Sequence, residues 1–206
     1  MTRLRARIAE RLVDAQQTAA MLTTFNEVDL TEVMALRKRY RDEFEKKHGV
    51  RLGFMSFFAK ASVEALKKFP VVNASVEGTD IVYHNYYDLG IAVSSDRGLM
   101  VPVVRDADKR SILELAVELT ELSEKARAGK LMPDDMSGGT FTITNVGVVG
   151  GAHATPIIYS PQVGILAIMQ ARQKPIVYND EIAIRRIMPL VLAYDHRVLD
   201  GAIMAR

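Results

Sequence analysis

Cysteine is absent from all 206 residues, which excludes a disulfide framework, a thiolate metal site and a cysteine nucleophile. Any thiol chemistry performed here must be brought by the substrates. An excess of one charge is also missing: a formal net charge of +2 provides no field suited to nucleic acid as the main partner. No apolar run approaches the roughly 20 residues that cross a bilayer, and the basic N-terminus lacks the apolar stretch of a signal peptide. None of His48, His84, His153 and His196 has a second histidine at metal-binding spacing. The expectation is a soluble chain, without a metal and without nucleic acid or membrane as partners. Its length suits one domain, and its apolar content supports a real core.

The elements follow from periodicity and punctuation. Leu4, Ile8 and Leu12 recur at helical spacing among Arg3, Arg5, Arg7 and Arg11, predicting an amphipathic first helix whose arginines form a solvated face. Phe25 to Leu30 reads as a short strand. Thr31 with Asp29 can cap a second helix that ends at His48-Gly49, and Met55 to Phe69 is a more buried third helix closed by Pro70. Short β-branched runs predict strands at Val71–Val76, Asp80–His84, Leu89–Ser94 and Leu99–Val104. Ser111 caps a long helix, Ile112 to Ala128, with Gly129 as its stop. Strands follow at Thr140–Asn145, Val163–Met169 and Ile187–Ala193, with a hairpin around Asn179-Asp180. Helices mixed with consecutive strands predict an α+β, two-layer domain.

The chain's end carries the strongest chemical signal. His196 falls where the apolar run Ile187–Ala193 gives way to a loop, so its imidazole can be held firmly and still face a cleft. Asp200 and Gly201 follow four and five residues later, the layout of a general base with a local carboxylate. The Gly-rich segment Val146–Gly151 fits neither G-x-G-x-x-G nor the P-loop, and its glycines suit a sharp turn or close approach to a ligand or another chain. Thr142 and Thr144 share the polar face of the preceding strand. One of those hydroxyls can donate to an oxyanion, although most strand threonines are merely half-exposed. His48, His84 and His153 read as structural, and Asp134-Asp135 after Pro133 as a helix cap.

With these residues in view, the sequence resembles the catalytic core domain of the dihydrolipoamide acyltransferases, the central subunits of the 2-oxo acid dehydrogenase complexes. Ordered segments carry the resemblance over nearly the whole chain: Arg7–Leu12 with Gln17–Ala19, Phe25–Asp29, Gly98–Val103, Gly138–Asn145, Thr155–Ile158, and the D-H-R-x-x-D-G end at Asp195–Gly201. His48–Phe57, Pro70–Ser75 and Tyr83–Asp88 are most similar to the succinyltransferases of the 2-oxoglutarate dehydrogenase complex, whereas Val146–Ala154 departs from them. The resemblance implies a chloramphenicol-acetyltransferase-like fold, a mixed sheet with helices, assembled as homotrimers and further into a hollow cubic core. It implies transfer of a succinyl group between a lipoyl group, carried on a separate lipoyl domain, and coenzyme A. It also implies partnership with the 2-oxoglutarate dehydrogenase and dihydrolipoamide dehydrogenase components, in a bacterial cytoplasm or mitochondrial matrix. Acetyl or branched-chain acyl transfer, or a core scaffold with weak or no activity, are the alternatives.

In this reading His196 takes the thiol proton, and Thr144 of a neighbouring subunit donates to the oxyanion. Asp200 either polarises His196 or, as preferred here, caps the following helix and pairs with an arginine, Arg11 being the choice. Family members continue by about a helix beyond Asp-Gly, so residues 1–206 are expected to be a C-terminally truncated core without lipoyl and peripheral-subunit-binding domains. Six residues after Asp200 cannot hold a helix alone, and such a chain is expected to form trimers but to close poorly into a cage.

Overall fold

The computed structural model describes residues 1–95 and 98–204; the side chain of Leu4, expected on the apolar face of the first helix, lies outside the described residues. The chain opens with α1 (Arg3–Thr18), in which Ala15 is buried while Ile8, Leu12 and Val13 stay exposed. Strand β1 (Met21–Asp29) is longer than the sequence suggests, because antiparallel pairing carries it from Met21 opposite Asp195 to Asp29 opposite Ile187. Helix α2 (Thr31–His48) ends at Gly49 with φ 69°, a left-handed cap that glycine adopts without a Cβ penalty. Thr31 does not cap it: Asp29 accepts the Thr31 N–H at 2.9 Å, while the Thr31 hydroxyl accepts the Arg186 N–H.

Helix α3 (Phe54–Lys68) follows. The strand expected at Val71–Val76 is shorter, because Pro70 sets a 3-10 turn, Pro70–Val72, whose N–H acceptors lie within the turn. Pairing begins only with β2 (Ala74–Glu77), which forms a separate two-stranded sheet with β3 (Asp80–Tyr83). Strand β4 (Leu89–Ser95) comes next. The run Leu99–Val104 splits around Pro102, which has no N–H for a ladder, into β5 (Gly98–Met100) and β6 (Val103–Val104). Helix α4 (Ile112–Arg127) starts with the expected cap: Ser111 accepts the Glu114 N–H, and Glu114 accepts the Ser111 N–H in return.

Strands β7 (Phe141–Asn145), β8 (Gly164–Ile168), β9 (Arg172–Tyr178) and β10 (Glu181–Asp195) complete the main sheet, and one helical turn, α5 (Gly201–Met204), closes the described chain. The order is β1-β10-β8-β7-β4-β5, with β6 also on β4 and β9 also on β10; β4, β7 and β8 run parallel and the other pairs antiparallel. Asn179 and Asp180, at φ 52° and 62°, turn the β9–β10 hairpin.

Helices α2, α3 and α4 cover one sheet face. Val63, Leu115, Ile143 and Leu89 are fully buried in that seam, and each such side chain contributes about 1.5–3 kcal/mol on burial. The opposite face is lined by small residues and covered in part by the 146–161 segment, through Ile158 against Ile165 and Ala193, and Val146 and Ala154 against Ala167 and Val191. The result is a two-layer α+β fold built on a mixed sheet. No described helix is long and apolar enough to cross a membrane.

Candidate active site

At the end of β10 the chain turns from the core into solvent within two residues. Tyr194 is fully buried and Asp195 nearly so, whereas His196 is exposed. The turn is anchored on a single residue of the α1–β1 link, Ala20. The His196 N–H donates to the Ala20 carbonyl at 2.8 Å, and the Ala20 N–H donates to Asp195 Oδ1 at 3.3 Å. Asp195 also accepts from the Arg197 N–H at 3.0 Å and, as a fork, from Arg197 Nε and Nη2 at 3.0 and 2.6 Å. Its carbonyl accepts the N–H groups of Val198 and Leu199. Burial pushes the Asp195 carboxyl up, and the hydrogen bonds and charge of Arg197 more than offset this, holding it below the usual carboxylate range. The imidazole of His196 thus stands on a backbone fixed from both sides, its ring centroid 6.1 Å from that of Tyr194.

Asp200 is not in contact with this anchor. Its Oδ1 accepts the Ile203 N–H at 2.9 Å and caps α5, the helix-capping role preferred from sequence. The expected pairing with Arg11 is not formed: among the described residues no ion pair joins them, and Arg197, on the same turn, pairs with Asp195 instead. The capped turn α5 stays helical because Val198, Leu199 and Met204 pack on the core, so tertiary burial stands in for length.

The two threonines of β7 part company. The Thr142 hydroxyl is buried and donates to Gln162 Oε1 at 2.6 Å, and Gln162 Nε2 donates in turn to the Gly139 carbonyl. The Thr144 hydroxyl is half-buried and makes no hydrogen bond among the described residues. Its cross-strand neighbours are Ala92 and Ala167, too short to crowd it. The segment after it hugs its own chain: a Cβ on Gly147 would lie 2.6 Å from the Met169 carbonyl oxygen, and Gly150 takes φ 85°. Gly147 therefore serves a close approach to β8's end, and Gly150 a left-handed turn. Of the other histidines, His153 meets Phe25 edge-on, His48 packs by Phe44 and His84 by Tyr86.

Register decides what one chain can do. Thr144 lies opposite Ala167, and Ala167 opposite Val191, so Thr144 is level with a residue five positions before His196 and two strands away. With about 3.3 Å per residue and 4.8 Å between strands, the two side chains are on the order of 20 Å apart, at opposite ends of the sheet. A hydrogen-bonded relay needs about 3 Å. A single chain holds both halves of the expected site and joins neither to the other.

A cavity of about 480 Å³ lies against the His196 turn, lined among others by Asp195, Arg197, Gln17, Thr18 and Gln162. That size suits a small-molecule group. A larger depression of about 740 Å³ lies along α4, away from His196. Two of its cations are engaged, Arg105 with Asp88 and Arg110 with Glu118, and burial pushes the Glu118 carboxyl up despite Arg110. Sequence reasoning passed over Asp195 and Arg197 as functional supports. The available signal was an acid directly before, and an arginine directly after, a histidine at the end of an apolar strand.

Comparison with known proteins bears on the family and the fold. The chain is 59% identical over 201 residues to the dihydrolipoyllysine-residue succinyltransferase component of the 2-oxoglutarate dehydrogenase complex of Bartonella vinsonii subsp. berkhoffii, covering 98% of this chain and 49% of that protein. It spans about half the length of the curated relatives it matches. The cubic core of a pyruvate dehydrogenase multienzyme complex superimposes with a TM-score of 0.96 at 39% identity, covering 100% of this chain and 85% of that one. A chloramphenicol acetyltransferase, 12% identical over 95% of this chain and 89% of its own, shares the fold with a TM-score of 0.56. Residues 1–206 match the 2-oxoacid dehydrogenases acyltransferase (catalytic domain) family, and the chain belongs to that family.

Proposed function

We propose that this chain transfers a succinyl group between dihydrolipoamide and coenzyme A in the 2-oxoglutarate dehydrogenase complex, as a subunit of a homotrimer whose sites lie between neighbours. The lipoyl group arrives on a separate lipoyl domain, charged by the 2-oxoglutarate dehydrogenase component and reoxidised by dihydrolipoamide dehydrogenase.

The thiolate, not the thiol, is the nucleophile. An imidazole nitrogen of His196 accepts the coenzyme A thiol proton, and the sulfur attacks the thioester carbonyl. A positioned base of this kind contributes roughly 10²–10⁴-fold. The carbonyl oxygen becomes an oxyanion, to which the Thr144 hydroxyl of the neighbouring subunit donates; one such donor is worth about 2.7–4 kcal/mol. As the carbonyl re-forms, the carbon–sulfur bond to the dihydrolipoyl group breaks, and its sulfur takes the proton from the His196 imidazolium. Asp195, with Arg197 and the Ala20 peptide, keeps the imidazole in place. Asp200 keeps the capped turn beyond it.

The reading is carried by one observation: an exposed, backbone-anchored His196 and an uncommitted Thr144 hydroxyl stand at opposite ends of one sheet. Succinyl as the acyl group is supported by the relative at 59% identity, against 39% for the pyruvate dehydrogenase core. Turnover of free dihydrolipoamide with succinyl-, acetyl- and isobutyryl-coenzyme A tests it. Succinyl-coenzyme A is expected to give the highest kcat/KM; preference for another donor replaces the acyl assignment, and no turnover with any donor removes the transferase reading.

A further inference from the structure

The sheet face that carries Thr144 changes character beyond that residue. Partners across a ladder project to the same face, so Phe25, Val191, Ala167, Thr144 and Ala92 form one row. That row holds no charged side chain. Further from His196 the same face carries Glu27 and Asp29 on β1, and Arg172, Lys174 and Arg185 on the β9–β10 hairpin. Three cations there meet two carboxylates. Lys174 pairs with Glu27 and Arg185 with Asp29, and among the described residues no carboxylate pairs with Arg172.

Arg172 is held by an amide instead. Its Nε and Nη2 donate to Gln170 Oε1 at 3.1 and 3.0 Å, and the Gln170 N–H donates to the Gly151 carbonyl at 3.2 Å, in the loop that follows Thr144. An amide oxygen orients a guanidinium as a carboxylate does and leaves its charge uncompensated. With the Nε–Nη2 edge occupied, the Nη1–Nη2 edge stays open, and two parallel N–H groups match a carboxylate there. Arg172 itself is exposed. Its partner Ile187 lies four residues before Val191, so its backbone stands about 13 Å along the sheet from the Thr144 row. Gln170 lies between Ala167 and Arg172, so the fork draws the guanidinium back toward Thr144. His153, in the covering segment, stands edge-on to Phe25 instead, three strand spacings from Thr144.

We infer that Arg172, oriented by Gln170, receives the distal carboxylate of the acyl group while its thioester carbonyl lies at Thr144. The inference rests on the succinyl reading proposed above and names the residues that enforce it. A four-carbon diacid hydrogen-bonded at both ends spans on the order of 10 Å, and the arginine side chain bridges the remainder. Acyl groups without a second carboxylate leave Arg172 unanswered, so discrimination comes from the charge at the far end of the chain rather than from pocket volume. Gln170 is the positioning residue: a carboxylate in its place would neutralise the guanidinium without moving it.

The test compares succinyl-coenzyme A with butyryl-coenzyme A, which has the same four-carbon chain and no carboxylate. Arg172→Leu is expected to lower kcat/KM for succinyl-coenzyme A by roughly 10–100-fold, mostly through KM. Butyryl transfer, the KM for dihydrolipoamide and the oligomer mass should stay unchanged. Arg172→Lys should restore part of the loss. Gln170→Glu should reproduce much of it with Arg172 still present, an effect that a merely structural glutamine would not give. Equal losses with both donors, or a succinyl preference kept in both Arg172→Leu and Gln170→Glu, overturn the assignment. A wild type that prefers succinyl beside an Arg172→Leu variant that also does removes Arg172 alone. A wild type that prefers butyryl- or acetyl-coenzyme A removes the succinyl reading, and this assignment with it.

Discussion

The two buried carboxylates among the described residues, Asp88 and Asp195, each hold an arginine, and the difference between them separates fold from site. Asp88, at the start of β4, pairs with Arg105 at 2.8 Å and accepts the Asp106 N–H at 2.8 Å. Arg105 reaches on to the carbonyls of Asp134 and Ser137, and the Asp88 peptide brackets Thr140 just before β7. This latch ties together segments up to about 50 residues apart and sets where β4 and β7 begin, the latter three residues before Thr144. Asp195 pairs with an arginine only two residues away, and its long-range partner is one peptide, Ala20, 175 positions off. It fixes a turn rather than a sheet. The same chemistry, at one end of the sheet and three strands apart, positions the start of the strand that carries Thr144 and the turn that carries His196.

The comparison is broken most severely by removing what the latches position. His196→Ala should lower kcat by roughly 10²–10⁴-fold, with the oligomer mass and coenzyme A affinity unchanged; undiminished turnover would falsify its role as base. Thr144→Val should cost about 2.7–4 kcal/mol of transition-state stabilisation, and Thr144→Ser should restore most of it. Thr142→Val, by contrast, should leave turnover nearly intact while leaving Gln162 Oε1 without its donor, read as a lowered midpoint in urea. Equal kinetic losses at both threonines would mean that Thr144 is not singled out.

The latches themselves differ in what their loss is read by. Arg105→Leu and Arg197→Leu each leave a buried carboxylate on backbone donors alone, at about 1–3 kcal/mol after allowing for the half-exposed arginines. Chemical denaturation measures both, but only Arg197→Leu should also depress kcat in the folded protein. The pH dependence has a definite sign. The Asp195 carboxyl is held below its ordinary 3.8 in the native state, so its contribution is complete above that value and is lost as pH falls through the lower, folded one. The stability difference between wild type and Asp195→Asn should therefore be constant above pH 3.8 and shrink below it; a gap that widens on acidification reverses the assignment. The smallest effect is expected at Asp200→Ala, which removes a helix cap worth about 1 kcal/mol. A kinetic loss as large as that of His196→Ala would return Asp200 to the site.

Much of the architecture was legible because it is local. The Ser111–Glu114 box, the glycine stops after α2 and α4, and the Asn179-Asp180 turn all depend on residues within a few positions of one another. So did the placement of His196 at a strand's end. The misreadings have two causes, a proline inside an apolar run and a side chain whose partner is distant in sequence. Pro70 and Pro102 interrupted runs that looked like strands by composition. Thr31 faced Arg186 rather than its own helix, and Arg11 did not reach Asp200. The anchor of Asp195 on Ala20 was invisible because those residues are neighbours only after β1 and β10 pair.

By itself, then, the order of residues determined the elements, the strand-end histidine and the polar face of β7, since each is set by short-range sterics, capping and alternation. Only the tertiary structure decided which of Thr142 and Thr144 keeps a hydroxyl without a partner among the described residues, and that His196 and Thr144 stand at opposite ends of the sheet within one chain. Those outcomes depend on strand order and register, and alternation along a single strand carries no information about which strand lies beside it.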